Sequence, residues 1–288
     1  MVKNNMVRAI SKAGFAMIIV SDSTESVREM ERIHKTSATA SAAFGRTLTA
    51  ASLMGCLLKN ENDSITVQFR GNGPIGIVTA IGDYYGNVKG RCENPYADLP
   101  LNSLTKKLDV GNLIGKDGTL VIIKDMGLKE PYIGQVPLVS GEIAEDITAY
   151  YAYSEQIPTV CSLGVLVDKD LSIKAAGGFL LQLLPGADEE EISLIEKNIA
   201  SLDSITTLLE QGMTPKDIVN TVLNGFDPEI LDEMHSAYLC NCNREHMKNV
   251  LKGIEKEQLI EAALEDETVE IVCGYCNQKF RFELDELI

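Results

Sequence analysis

Residues 37–58 have the sequence SATASAAFGRTLTAASLMGCLL, in which Arg46 is the only charged residue. Alanine, serine, threonine and glycine make up most of the run. A helix without a polar face is normally buried on several sides, and small side chains let neighbouring backbones come close. We therefore predict a helix at 37–58 that is sandwiched between β-sheets.

Segments with the composition of β-strands precede and follow this helix. In chain order they are FAMIIVSDST, SITVQFR, IGIVTAI, NVKGRCE, TLVIIKD, YIGQVPL, TVCSLGVLVD and LSIKAAGGFLLQLL. Two further helices are predicted among them, one at 23–36 and one from about Gly141 to Gln156. Turn-forming residues such as Gly-Asn-Gly-Pro separate neighbouring strands, which is typical of a meander. The strand–helix–strand alternation of a parallel sheet is missing, so the pattern predicts an α+β fold with largely antiparallel sheets.

The pattern divides the chain into three regions. Residues 1–178 are expected to form a large N-terminal α+β core domain, with its sheets packed around the buried small-residue helix. Residues 179–232 follow a helical pattern, with acids from Asp188 to Glu191 at a helix start and a cap at Thr214-Pro215, and are expected to be a helical linker. Residues 233–288 are expected to form a small zinc-binding domain, in which REHMKNVLKGI and EKEQLIEAALED predict two short helices. TVEIVC and NQKFRFEL predict a hairpin there.

Composition and charge exclude several classes of protein. The formal net charge is −16, and residues 229–288 hold fourteen acids against six bases, so the basic footprint that nucleic-acid binding needs is missing. No apolar run is long enough to span a membrane, and the first residues lack a secretory apolar core. We therefore expect a cytoplasmic protein without a nucleic-acid or membrane partner.

Four of the seven cysteines lie near the C-terminus in two tight pairs: Cys240 with Cys242, and Cys273 with Cys276. Four thiolates complete a closed tetrahedral zinc site. A region this short buries little apolar surface, so it needs a metal or disulfides to fold, and structural zinc supplies about 10–16 kcal/mol of apparent binding energy. The pattern predicts one Zn²⁺ held by these four cysteines. The same sulfurs are also two potential disulfides.

The residues alone leave three interpretations of the quartet open. A constitutive zinc-stabilised interaction module needs only the metal. A thiol–disulfide oxidoreductase would need its C-x-x-C at a helix start, where the thiol pKa is lowered, whereas KFRFEL follows here with strand periodicity. A redox-active zinc site combines the two chemistries. His235 and His246 lie nearby and are expected to be surface residues, because four sulfurs already complete a tetrahedron.

Other motifs support no further site. Cys56, Cys92 and Cys161 are isolated among apolar or small residues and are expected to be small buried hydrophobes. Residues 71–76, GNGPIG, match a dinucleotide fingerprint literally, but a strand follows them rather than the helix that a pyrophosphate needs. No Ser-His-Asp arrangement or G-x-S-x-G has a recognisable context. We therefore expect no catalytic residues and no enzyme activity.

The chain resembles the heat shock protein 33 family of redox-regulated chaperones along nearly its whole length. The residues that carry the resemblance are CNCNRE from Cys240 and IVCGYCNQKFRF from Ile271, together with FRGNGPIGIV, SEQIPTVCSLGVLVD and AAGGFLLQLLPGADEEE upstream. The spacing of C-x-C and C-x-x-C is highly specific in combination with these glycine-rich segments. The chain does not depart from the family pattern at the four ligand positions.

The resemblance implies a redox switch. Reduced family members are inactive, with all four thiolates on one Zn²⁺. Oxidants convert the close pairs to disulfides, here Cys240–Cys242 and Cys273–Cys276, and the zinc is expelled. The zinc domain and the linker then unfold and expose apolar surface that holds unfolding client proteins under oxidative stress. Active members are homodimers and do not hydrolyse ATP.

Elementary chemistry is compatible with this implied behaviour. Zinc keeps thiols in the thiolate form that oxidants attack. A disulfide between residues so close in sequence closes a very small loop, so it replaces little of the lost metal's stabilisation. The linker would lose its packing partner next, and its apolar stripes are candidate client-binding surface or simply core. Arg244, Lys279 and Arg281 flank the ligands and either offset the negative charge of the site or act as ordinary surface residues.

Overall fold

The computed structural model describes residues 5–263 and 267–288, which divide after Tyr238 into two compact units. We call the first the core unit and the second, residues 239–288, the cysteine unit. None of the helices in the described part of the chain combines the length and apolar character that a membrane crossing needs.

The core unit contains two five-stranded sheets in which every neighbouring pair is antiparallel. Sheet A has the order β10-β1-β2-β9-β8, with β1 (Met6–Ile10), β2 (Ala16–Asp22), β8 (Thr159–Val167), β9 (Ile173–Leu183) and β10 (Glu229–Met234). Sheet B has the order β5-β4-β3-β6-β7, with β3 (Ser64–Arg70), β4 (Val78–Asp83), β5 (Val88–Cys92), β6 (Thr119–Asp125) and β7 (Tyr132–Pro137).

Seven α-helices accompany these sheets in the described part of the core unit. They are α1 (Thr24–His34), α2 (Ala38–Gly55), α3 (Val110–Ile114), α4 (Ala144–Tyr150), α5 (Glu189–Ala200), α6 (Ile205–Glu210) and α7 (Pro215–Val222). A π-helical turn, Tyr151–Glu155, continues α4. The helix predicted from about Gly141 to Gln156 is thus divided into two kinds of turn.

The small-residue helix α2 lies between the two sheets. It packs on β3, β4 and β5 of sheet B and on β2, β8 and β9 of sheet A, and sixteen of its eighteen residues are buried. Ser37 caps its N-terminus by accepting a hydrogen bond from the Ala40 backbone N–H at 3.2 Å. Its single charge, Arg46, forms an ion pair with Glu142 at 2.8 Å. The predicted α+β fold with a buried small-residue helix is confirmed.

Glycines on both sides of the contact, Gly55 in α2 and Gly82 in β4, let the two backbones approach closely. A Cβ atom added at Gly82 would lie 2.1 Å from the Ala51 carbonyl oxygen, and one at Gly55 would lie 2.3 Å from the Asp83 carbonyl oxygen. Both contacts are with backbone atoms, which cannot rotate away. The close approach of α2 and β4 therefore requires glycine at these positions.

Helices α6 and α7 cover the other face of sheet A. The shared apolar cluster contains side chains of β1, β2 and β9 and side chains of the two helices, among them Val7, Ile18, Phe179, Ile205, Leu208, Ile218, Val219 and Val222. Helix α5 contributes only one fully buried residue, Ile195, although the sequence pattern predicted an apolar stripe along it. The first of the linker helices is therefore the least buried.

Two strands extend across the region boundaries that the sequence suggested. Strand β9 runs through 178/179 because its pairing with β2 continues to Leu183. Strand β10 runs through 232/233 and pairs with β1. Neither β1 nor β10 was among the predicted strands, and β10 lies at the end of the region expected to be helical. The division into a core domain at 1–178, a linker at 179–232 and a zinc-binding domain at 233–288 stays a prediction.

The cysteine unit is a small arrangement of two helices and a hairpin. It contains α8 (Arg244–Leu251), α9 (Lys256–Glu261), β11 (Thr268–Val272), β12 (Lys279–Glu283) and a 3₁₀ turn (Leu284–Glu286). The predicted second helix extended to 266, and its residues 264–266 lie outside the described residues. Eight described residues form its buried core: Met247, Leu251, Leu259, Val269, Cys273, Phe280, Phe282 and Leu287.

The contact between α2 and β4 predicts a large effect of one methyl group. We expect Gly82→Ala to lower the free energy of unfolding of the core unit by about 1–3 kcal/mol, because overpacking forces backbone shifts. The denaturant midpoint of the reduced protein, followed by circular dichroism, measures this. Gly253→Ala is the control, since its added Cβ meets nothing closer than 3.4 Å. Equal midpoints for both variants would show that α2 is not tightly packed on β4.

Candidate metal centre

The four clustered cysteines come together from two separate segments. Cys240 and Cys242 lie in the extended segment before α8, and Cys273 and Cys276 lie in the turn between β11 and β12. All four Sγ atoms lie within 4.8 Å of one another. The predicted ligand set is therefore brought to one point.

Two close sulfur–sulfur contacts join the two segments. Cys240 Sγ lies 3.7 Å from Cys273 Sγ, and Cys242 Sγ lies 3.3 Å from Cys276 Sγ. A zinc–sulfur bond of about 2.3 Å places the sulfurs of an ideal tetrahedron about 3.8 Å apart. Four sulfur donors at these separations fit a tetrahedral thiophilic ion such as Zn²⁺, held across the two segments.

Backbone hydrogen bonds shape the turn that carries two of the sulfurs. The Cys273 N–H donates to the Gln278 carbonyl at 2.9 Å, and the Asn277 N–H donates to the Cys273 carbonyl at 2.8 Å. Asn277 has φ 57°, in the left-handed region that asparagine tolerates better than most residues. This closed turn returns the chain into β12 with Cys273 and Cys276 on the same side as the other pair.

A helix cap positions the first pair. The Asn243 side chain accepts a hydrogen bond from the His246 backbone N–H at 2.8 Å, so α8 begins directly after Cys242. The Cys242 thiol lies 3.7 Å from Gln278 Oε1. Asn243 and Gln278 support the cluster, but cysteine spacing does not identify them. The only sequence signal for these supporting residues is the asparagine at the position that caps the predicted helix.

Crowding and burial govern the ionisation of the thiols. Burial raises the pKa of Cys242, and its three sulfur neighbours raise it further. Burial also raises the pKa of Cys276, although the Gln278 backbone N–H acts in the opposite direction. At Cys273 burial opposes ionisation, but hydrogen bonds from the N–H groups of Tyr275 and Cys276 outweigh it and lower the pKa. Four thiolates this close repel one another unless a cation lies among them.

The model of the family described as Hsp33 protein matches residues 4–283. The chain belongs to the Hsp33 family. The 33 kDa chaperonin of Clostridium beijerinckii is 46% identical over 285 residues, covering 99% of this chain and 97% of that protein. The 33 kDa chaperonin of Clostridioides difficile is 44% identical, with 99% and 98% covered.

A solved structure agrees with this assignment. The crystal structure of the 33 kDa chaperonin (heat shock protein 33 homolog) from Thermotoga maritima superposes with a TM-score of 0.89 at 38% identity, covering 99% of this chain and 96% of that one. The relatives are named as chaperonins rather than as enzymes. Membership of this chaperone family implies that the protein binds client proteins.

The basic residues beside the ligands of this Hsp33-family chain have partners of their own. Arg244 lies 3.0 Å from Glu286, donates to the Arg281 carbonyl, and stacks 4.2 Å above the Phe282 ring. Lys279 forms an ion pair with Glu270 at 2.9 Å. Arg244 and Lys279 therefore join surface elements of the cysteine unit, which favours the ordinary surface role over neutralisation of the sulfur cluster.

The remaining cysteines and histidines lie apart from the cluster. Cys56 is buried as expected, whereas Cys92 and Cys161 are only half-buried. Desolvation raises the pKa of each of the three thiols to about 12, which disfavours the thiolate form. His246 is exposed in the first turn of α8. His235 lines a cavity of about 500 Å³ in the core unit, together with the Arg28–Glu25 ion pair. The described metal-ligating cluster contains neither histidine.

The glycine segment at 71–76 is a turn, as predicted. A Cβ at Gly71 would lie 2.0 Å from the Ile114 carbonyl oxygen, and one at Gly73 would lie 2.1 Å from the Leu113 carbonyl oxygen. Close packing on α3 therefore accounts for these glycines. The segment leads into β4 and opens no helix, so it offers no phosphate cradle.

Removing one sulfur tests the metal centre. We expect Cys273→Ser to weaken zinc binding by roughly two orders of magnitude or more, since changes behind the ligands alone cost about 10–100-fold. Competition with a chromophoric chelator measures the affinity, and limited proteolysis of the reduced protein measures the folding of residues 239–288. Cys92→Ser in β5 is the matched control. Undiminished affinity and protease resistance in Cys273→Ser would contradict metal-dependent folding.

The packing of Arg244 predicts that its removal destabilises the cysteine unit more than the removal of Lys279 does. We expect Arg244→Ala to destabilise the zinc-loaded cysteine unit by about 1–2 kcal/mol through loss of its ring and carbonyl contacts. Lys279→Ala removes the same charge from an exposed pair and should cost less than about 0.5 kcal/mol. The rate of proteolysis within 239–288 compares them. Equal effects would favour neutralisation of the sulfur cluster by both residues.

Proposed function

We propose that this protein is a redox-regulated, ATP-independent holdase chaperone of the cytoplasm. It is inactive when reduced, with one Zn²⁺ bound by Cys240, Cys242, Cys273 and Cys276. Oxidation activates it, and the active homodimer keeps unfolding proteins from aggregating under oxidative stress. The observation that carries the proposal is the meeting of four thiol sulfurs within 4.8 Å in a Hsp33-family chain.

In the reduced state, metal binding by the four sulfurs stabilises the folded cysteine unit. When bound, Zn²⁺ keeps all four as thiolates, and in so small a unit its binding energy is also folding energy. Cys273 is 3% exposed and belongs to the apolar core of the cysteine unit. A chemical change at this sulfur therefore acts on a ligand and on the core at the same time.

Oxidation converts four thiolates to two disulfides, Cys240–Cys242 and Cys273–Cys276. With hydrogen peroxide, each disulfide forms from two thiolates, one peroxide and two protons, and two water molecules are released. Of the two electron pairs with which two thiolates would hold the metal, one becomes the S–S bond and the other reduces the peroxide, so both sulfurs would be lost as ligands and the ion would be released. The two short loops then restrict the chain too little to keep the unit folded.

Unfolding then spreads to residues 179–232. Helix α5 contributes only Ile195 as a fully buried residue, so little apolar burial opposes its release. Release of α6 and α7 uncovers the apolar face of sheet A, including Val7 and Ile18. An exposed apolar face of this kind binds the apolar segments of unfolding proteins.

One paired measurement tests the proposal. Reduced, zinc-loaded protein is treated with peroxide while zinc release is followed with a chromophoric chelator and aggregation of a thermally unfolding client is followed by light scattering. We expect zinc release and suppression of scattering to occur together. Zinc release with unchanged client aggregation, across adequate protein concentrations, would contradict a holdase.

Cysteine variants assign the response to the cluster. A variant with alanine at Cys56, Cys92 and Cys161 should respond to peroxide like the natural protein. Cys273→Ser should suppress aggregation even without peroxide, because it lacks the zinc that keeps the unit folded, and a Cys273→Ser variant that is inactive when reduced and activated by peroxide like the natural protein would sink the proposed switch. Catalytic turnover of a dithiol substrate would instead favour an oxidoreductase, and retention of zinc under oxidant would favour a static zinc module.

A further inference from the structure

The last ten residues of the core unit cover the edges of both sheets. Residues 229–234 are β10, which pairs with β1 at the edge of sheet A. The chain then reaches β5, the edge strand of sheet B, where the Val88 N–H donates to the Ala237 carbonyl at 2.9 Å. The Tyr238 hydroxyl donates to the Gly90 carbonyl at 3.1 Å and contacts the Gly90 N–H at 3.3 Å. We call residues 229–238 the edge cover.

Backbone pairing and polar contacts hold the edge cover in place. None of the six residues of β10 is fully buried, and Leu231 is 48% exposed. Arg8 of β1 forms an ion pair with Asp232. Asn5 exchanges two hydrogen bonds with the Ser236 backbone, at 2.8 and 3.1 Å. Ile230 and Met234 of β10 are half-buried against the apolar clusters, so an occupant that offers apolar residues at these alternate places can replace β10.

Strand β1, which pairs with β10, is far more apolar than β10 itself. In β1, Met6, Val7 and Ala9 are buried. Val7 and Ala9 belong to the apolar face of sheet A that α7 covers, and Met6 belongs to the core around α2. The pairing of β1 with β10 is irregular, with a register shift between Arg8 and Ala9. A well-formed strand is therefore covered by a weakly attached one.

Chain order links the edge cover to the switch. Helices α5–α7 precede β10 and the cysteine unit follows it, and both segments unfold in the proposed function. A six-residue strand without a buried side chain cannot hold itself on β1 once both of its flanks are released. Its departure exposes a row of unpaired N–H and C=O groups beside the uncovered apolar face of sheet A, which is a template for another extended chain.

We propose that an extended segment of an unfolding client adds to sheet A along β1, in the place of β10. Backbone hydrogen bonds do not depend on side-chain identity, so this mode of binding accepts many sequences. The neighbouring apolar face favours client segments whose alternate residues are apolar. Arg8, freed from Asp232, favours a neutral or acidic client residue opposite it. The inference rests on the proposed redox-activated holdase.

Hydrogen exchange measured by mass spectrometry tests the proposal on the full chain in three states: reduced and zinc-loaded, oxidised, and oxidised with thermally unfolding malate dehydrogenase bound. We expect amides of residues 6–10 and 229–234 both to exchange faster on oxidation, with β2 still protecting the other side of β1. In the client complex, residues 6–10 should regain protection while residues 229–234 stay fast.

Every other pattern overturns the edge proposal. Joint protection of 6–10 and 229–234 in the complex would mean that β10 has returned to β1. Protection of 6–10 in the oxidised protein without client would mean that a second copy, or another segment of the chain, occupies the edge. If client is bound while the amides of residues 6–10 still exchange fast, the client binds elsewhere. The same holds if these amides never exchange faster on oxidation. Failure to suppress client aggregation would overturn the proposed function itself, and this readout is separate from the exchange.

Discussion

Burial of a helix that has no polar face is the constraint on which the core unit depends. Because α2 exposes neither a charged nor a polar surface, both sheets must cover it, and Ala51 and Gly82 meet at backbone distance. Its single charge is compensated within the same packing, since Glu142 pairs with Arg46 and also accepts the Gly111 N–H at 3.1 Å. This arrangement needs no metal, so the core unit keeps its own source of stability.

The cysteine unit is stabilised in a different way. Its buried core holds only eight of the described residues, and one of them, Cys273, is also a sulfur of the cluster. The thiols cannot all ionise at this separation without a cation among them. In the proposed function, stability is therefore distributed unevenly along the chain: a unit that depends on a metal follows a unit that depends on packing. In the proposed function, a reagent that acts only on thiolates unfolds the cysteine unit first and the helices that cover sheet A next, and leaves the packing of α2 between the sheets in place, because proteins open in separate cooperative units.

The parts of the fold that the sequence predicts are those that local pattern decides. The helix at 37–58 and the hairpin around Cys-Gly-Tyr-Cys follow from composition and periodicity, and both are present. The acid-rich segment EILDEM gives no strand signal of its own. It becomes β10 because the edge of β1 is available to it, and strand formation depends on such partners more than on propensity.

At the candidate site, too, local sequence pattern predicts only part of the arrangement. Spacing identified four sulfurs of the right kind, but it groups them as neighbours in sequence. The structure brings Cys240 Sγ to 3.7 Å from Cys273 Sγ and Cys242 Sγ to 3.3 Å from Cys276 Sγ. This cross-pairing depends on how the segment before α8 lies against the β11–β12 turn, which is a tertiary property. Gln278 contacts Cys242 for the same reason, and no spacing rule identifies it.

Charge distribution explains how a chain can uncover apolar surface and stay in solution. Residues 229–288 hold fourteen acids and six bases. In the folded cysteine unit, some of these acids are paired, such as Glu286 with Arg244 and Lys248, and Glu270 with Lys279. Unfolding separates these pairs but leaves the excess of negative charge on an extended chain, and like charges oppose its collapse and self-association. In the proposed function, this acidic segment unfolds together with the release of α6 and α7 from sheet A, and its charge opposes indiscriminate association of two uncovered faces.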